Sequence, residues 1–142
     1  MIVPDVTVLV YAARTAAPEH PAYRSWLEGA LAGVEAMGAS ELVLSGVIRV
    51  LTHPRVFQEP LMLVDALAFT DALRQHPNVV PLRPGERHWG LFSALATDAH
   101  CRGNLVVDAY HAALVIENGG TWITSDRDFA RFAGLRWRHP LR

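Results

Sequence analysis

Apolar residues fall along the chain in short blocks of two kinds, and their alternation gives the first outline of the fold. Met1–Val3 is a brief apolar run closed by Pro4-Asp5. It reads as a buried strand ending at Pro4, because proline is poorly suited to the middle of a central ladder. "VTVLVYAAR" continues apolar without a turn signal and reads as a helix entered after Asp5. In "PEHPAYRSWLEGALAGVEAMG", Trp26, Leu27, Ala30, Leu31 and Val34 recur at helical spacing, so an amphipathic helix is expected with its stop at Gly38. Ser40 is a candidate N-cap with Glu41 in the first turn. Together they predict a helix from Glu41 to Leu51, before the break at His53-Pro54.

The second half repeats the alternation. "PLMLVDALAFTDALRQH" has the helical rhythm, Asn78–Leu82 reads as a short strand, and "PGERHWGLFSALATDAHCRG" is helical again. "NLVVDAYHAALVIENGG" follows as a helix stopped at Asn118-Gly119-Gly120. "TWIT" is a strand, "SDRDFARFAG" a short helix, and "LRWRHP" a last strand or extended tail. Short apolar strands separated by helices predict a parallel sheet covered on both faces, a three-layer α/β/α architecture.

Composition narrows this picture. At 142 residues the chain fits one domain, and a hydrophobic fraction of 51% against 19% charged excludes disorder. Cys101 is the only cysteine, which excludes an intrachain disulfide and a cysteine zinc cluster, and a reducing cytoplasm is the expected location. The N-terminus lacks a basic leader, and no uncharged apolar run reaches the ~18 residues of a membrane helix. Net charge is −1, so no global charge advertises nucleic acid; all 13 basic residues are arginine.

The acids carry more information. In open parallel sheets, sites form beyond the carboxyl ends of strands, near the point where strand order reverses. Asp5 follows the first strand and Asp126 follows "TWIT". Asp108 lies among Leu105, Val106, Val107 and Ala109, where a carboxylate needs a partner. Carboxylates brought together repel, and a hard divalent cation relieves that repulsion. Mg²⁺ or Mn²⁺ would also activate water for phosphodiester cleavage, with two ions ~3.5–4 Å apart in a two-metal arrangement.

"PDVTVLVYA" at Pro4–Ala12, "GNLVVDAYHAALVIENG" at Gly103–Gly119 and "TWITSDRDFARFAGLRW" at Thr121–Trp137 resemble the motifs of the PIN-domain family, specifically VapC-type toxins of bacterial toxin–antitoxin pairs. The resemblance spans nearly the whole chain in order and spacing. It implies an Mg²⁺- or Mn²⁺-dependent endoribonuclease, commonly dimeric, held inactive by a VapB-like antitoxin inserted near an acidic groove. It places the family's acids on Asp5, Asp108, Asp126 and Asp128, and puts Thr7 where a hydroxyl or amide supports the first acid. The family's remaining acid, a Glu, falls close to Leu44, Ser45 and Gly46, ahead of Arg49. The nearest carboxylate is Glu41, about one helical turn earlier.

Each candidate has a plainer explanation. Asp5 is a good helix N-cap, and Glu41 suits a first turn on dipole grounds alone. The seven histidines are scattered without zinc-motif spacing. Arg49, Arg55 and Arg127 are candidate RNA contacts, although an exposed arginine needs no special role. Tyr11, Trp26, Phe57 and Phe69 are expected to pack rather than stack on bases. In "TSDRDF", Ser125 and Asp128 resemble a capping box, which leaves Asp126 as the metal ligand and makes Asp128 a cap or a supporting acid. Two rivals to the ribonuclease stand: a PIN-fold binding module without catalysis, and an acidic-pocket phosphohydrolase or receiver. The absence of lysine counts against the second.

Overall fold

A computed structural model describes residues 1–142. Strand β1 (Ile2–Pro4) is buried along its whole length, and Asp5 turns the chain into helix α1 (Val6–Ala13). After α2 (His20–Ala32) come β2 (Met37–Ser40) and α3 (Glu41–Leu51), then α4 (Leu63–Gln75) and β3 (Val79–Leu82). Helices α5 (His88–Asp98) and α6 (Asn104–Glu117) precede β4 (Thr121–Ile123), a 3-10 turn (Arg127–Arg131) and β5 (Trp137–Arg138). No helix is long and apolar enough to cross a membrane.

All strand pairs are parallel and the sheet order is β3-β2-β1-β4-β5. Connections from β1 to β2 and β2 to β3 step in one direction, whereas those from β3 to β4 and β4 to β5 run the other way. With right-handed crossovers, that reversal puts α1–α4 on one face and α5–α6 on the other. The packing agrees, since α1 rests on α2 and α3, α3 on α4, and α5 on α6. The expected three layers are present, with the reversal between β1 and β4.

Twenty-six buried apolar side chains from both faces form one contiguous cluster, so the sheet is the middle of a single core. Trp122 of β4, fully buried, packs against Phe129 of the 3-10 turn, which in turn meets Phe132. At ~25 cal/mol per Å², such aromatic burial contributes to holding this edge together.

Two local expectations change. The helix predicted to reach Gly38 ends at Ala32, capped by Gly33, and Gly38 lies inside β2. Val34, assigned to the buried helical face, is fully exposed at 105%. "MGAS" has little intrinsic strand preference; pairing with β1 and β3 decides its state. Helix α3, by contrast, spans Glu41–Leu51 as expected, with Ser40 Oγ accepting from the Val43 amide at 3.1 Å.

Gly38 is required by its neighbours. A Cβ there would stand 2.7 Å from Leu82 Cδ1, 2.9 Å from Leu82 Cγ and 3.0 Å from Met1 Sδ. Gly38→Ala should therefore destabilise the fold by about 1–3 kcal/mol, the usual cost of overpacking. The check is a lower urea midpoint with an unchanged slope.

Candidate metal centre

The site grows from the end of β1. The β1–β4 ladder closes with the Asp5 amide donating to the Ile123 carbonyl at 2.9 Å, which leaves the Asp5 side chain at the carboxyl edge of the sheet. Asp5 caps α1: its Oδ1 accepts from the Val6 amide at 2.6 Å. Oδ2 accepts from the Thr124 hydroxyl at 2.7 Å. Thr124 Oγ1 in turn accepts from the Asp126 amide at 3.0 Å, so one hydroxyl fixes two of the candidate acids relative to each other. With 9% exposure, Asp5 has its pKa raised by burial; the hydrogen bonds from Thr124 and Val6 oppose the rise, and the Asp126 charge adds to it.

Asp108 arrives from the other side, in the second turn of α6. That helix begins after Gly103 at φ +59°, a conformation that side chains rarely adopt, so the tight entry from the α5–α6 turn depends on glycine. The Asp108 carboxyl is half-buried and its pKa is pushed up to about 6, first by desolvation, then by the charges of Asp5 and Asp126, with Asp128 adding a little and Arg131 opposing. Asp5, Asp108 and Asp126 thus act on one another at the β1/β4 switch point, where strand order places a site.

Several expectations need correcting. Thr7 is exposed and makes no hydrogen bond to Asp5; the supporting hydroxyl is Thr124, from the neighbouring strand end. Ser125 does not cap the "SDRDF" segment. Asp126 does, its Oδ1 accepting from the Asp128 amide at 2.8 Å, and the segment is a 3-10 turn rather than an α-helix. Asp128 is exposed, with one oxygen 3.8 Å from Arg131 Nη2. Glu41 is exposed in the first turn of α3, beside Arg74 and Arg83, and is absent from the charges that act on Asp108. Helix α3 therefore gives no acid to this group. Arg49 borders an open groove beside the acids, Arg55 lies exposed in the turn after α3, and Arg127 shares a basic pocket with Arg138, His139 and Arg142.

The donor set suits a hard divalent cation, being all carboxylate oxygen with repulsion only weakly offset by Arg131. As they stand, no three His, Cys, Asp or Glu side chains close into a ligand cluster. Mg²⁺ tolerates this, since it is commonly held through one or two carboxylates with waters and substrate phosphates completing the octahedron.

The comparisons with known proteins agree with this fold. The PIN domain profile matches residues 2–135. Ribonuclease VapC43 of Mycobacterium tuberculosis is 50% identical over 99% of this chain and 96% of its own length, and Ribonuclease VapC25 of the same organism is 36% identical over 99% of each. Among solved structures, the VapBC2 complex of Rickettsia felis bound to a promoter DNA fragment superposes with a TM-score of 0.71 at 17% identity, covering 98% of both chains. The sarcin-ricin loop cleaving toxin VapC20 of Mycobacterium tuberculosis gives 0.65 at 16% identity, covering 96% of this chain and 99% of that one. The chain belongs to the PIN-domain family and, within it, to the VapC type.

The raised Asp108 pKa makes a signed prediction for metal-free protein. A carboxyl whose folded pKa lies above its ordinary 3.8 favours folding fully below that value and loses the advantage as pH rises through about 6. In EDTA, Asp108→Asn should gain stability over the parent between pH 4 and 7, by on the order of 1–2 kcal/mol after screening of a half-exposed group. Chemical denaturation of both proteins across that range provides the measurement. A second expectation concerns Thr124→Val, which leaves Asp5 Oδ2 without its donor and should lower the unfolding free energy by about 1–3 kcal/mol.

Proposed function

We propose that this chain is a metal-dependent endoribonuclease, the toxin of a toxin–antitoxin pair. The observation that carries the reading is the meeting of Asp5, Asp108 and Asp126 at the switch point, in a chain half-identical to proteins named as VapC ribonucleases. Asp5, Asp108 and Asp126 would hold Mg²⁺, or Mn²⁺ in its place, with Asp128 as a supporting acid. The bound ion supplies a water of lowered pKa and offsets charge on the leaving oxygen.

The chain's own residues set the stage for that chemistry. Thr124 and the Val6 amide hold the Asp5 carboxylate in one orientation, and each oxygen keeps a lone pair for a further partner. With its pKa at about 6, Asp108 is largely ionised near neutral pH and open to a cation, and takes up a proton in competition with the cation as pH falls. Arg127, with Arg138 and Arg142, offers a basic surface beyond Asp126 for the RNA backbone, and Arg49 offers another beside the groove. Arg55, exposed in the turn after α3, is the remaining proposed RNA contact.

The same reading includes a VapB-like antitoxin and a homodimer. An arginine from the antitoxin, presented between Asp5 and Asp108, would neutralise the acids by bidentate hydrogen bonds. Exposed apolar side chains at Met62, Leu63, Val64 and Leu67 on and before α4 provide surface for protein contact. A binding module without catalysis is the second reading, favoured by the lack of an acid from α3. Calorimetric titration separates the two: Mn²⁺ should bind the proposed enzyme, and no heat at millimolar Mn²⁺ would support the module.

Purified protein should cut single-stranded RNA in Mg²⁺ or Mn²⁺ and stop in EDTA. Asp5→Asn and Asp108→Asn should each slow cutting by more than about a hundredfold, the scale of losing one preorganised electrostatic group, with circular dichroism unchanged. Parental rates in a folded variant would rule out the site.

A further inference from the structure

His111 lies on α6, one turn beyond Asp108, and is 5% exposed. Its ring stacks on Trp122 with centroids 5.4 Å apart and planes at 19°, which fixes the ring plane. Nδ1 is enclosed and has no hydrogen-bond partner. Nε2 is not among the enclosed unpartnered atoms, and the ring borders an open groove of about 530 Å³ between α3 and α6, so Nε2 is the nitrogen that faces it.

The tautomer follows from the same facts. A neutral imidazole has one N–H and one lone pair, and an N–H without an acceptor is the costlier group to enclose. The proton therefore sits on Nε2, directed at the groove. Burial lowers the His111 pKa to about 4, so this donor is uncharged under physiological conditions.

The groove around it has a particular chemistry. Leu42 and Val107, 42% and 45% exposed, form apolar rims, and Gly46 lets α3 approach Val6, where a Cβ would stand 3.0 Å from Val6 Cγ2. Arg49 supplies a cation at the edge. Val6 and Val107 are chain neighbours of Asp5 and Asp108, so the groove adjoins the acids. A phosphate would be met by Arg49; a neutral, oriented donor beside the apolar rims of Leu42 and Val107, with only the uncharged Ser45 and Asn104 as further polar lining, suits an uncharged acceptor on a flat ring.

Resting on the ribonuclease reading, we propose that this groove takes an unpaired nucleobase of the RNA beside the scissile phosphate, and that the His111 Nε2–H reads an acceptor on that base. His111 is then a specificity-determining residue. Apolar faces for the ring and one edge contact are the usual means of holding a splayed base. The orphaned Nδ1 shows that the core gains little from histidine over an apolar side chain here, so its polarity is available for a ligand.

The test is a single-stranded RNA pool, randomised across the cut region, digested in Mn²⁺ by the parent protein and by His111→Leu, with product ends sequenced. His111→Leu should keep or raise the melting temperature while losing about fivefold or more of the preference at one position flanking the cut, as expected for one neutral hydrogen bond. Leu42→Ala, at an exposed rim, should weaken preference at the same position and covers the case in which His111→Leu does not fold. Unchanged preference, within about twofold, in whichever of these variants folds would overturn the inference while leaving the ribonuclease standing. No cutting by the parent protein would overturn both.

Discussion

Everything at the carboxyl edge of this sheet depends on the parallel pairing of β1 with β4. The two strands are only three residues long, yet all but Thr121 of their residues are buried and they run in register from Ile2–Thr121 to Pro4–Ile123. That register delivers Asp5 and Thr124 to the same level, and the hydroxyl-to-carboxylate hydrogen bond between them joins residues 119 apart in sequence. Because Thr124 also receives the Asp126 amide, the same contact positions the second acid. A shift of one residue would reverse every side chain across the sheet and dissolve the arrangement.

The cost of assembling acids here is visible in their protonation. Asp5 has two good hydrogen bonds and still has its pKa raised, because burial outweighs them. Asp108 carries the larger consequence, with a pKa of about 6 in which desolvation leads and like charge adds. A fold that tolerates such a cluster without a compensating base nearby, Arg131 aside, carries a like-charge repulsion that a cation would relieve. Stability and the proposed function are opposed at this point, as they commonly are at built sites.

Much of the architecture is legible from the residues. Pro4 at a strand end, Ser40 as a cap, the α3 limits and the stop after Glu117 follow from local chemistry, and each holds in the structure. The misread element is β2, whose "MGAS" has a weak strand signal and becomes a strand because β1 and β3 bracket it. The capping of the 3-10 turn is a closer miss. Ser125 and Asp126 are both competent caps, and the demand of Thr124 on the Asp126 amide sets the turn one residue later.

By itself, the sequence determined the alternation of strands and helices, the parallel sheet, and the convergence of Asp5, Asp108 and Asp126 on one edge of it, since strand ends and a lone carboxylate among apolar neighbours are local signals. Only the tertiary structure decided that Thr124 rather than Thr7 supports Asp5, that Glu41 stands apart from the acids, and that His111 faces a groove. Those facts depend on strand order and helix packing, which bring together positions that no spacing along the chain relates.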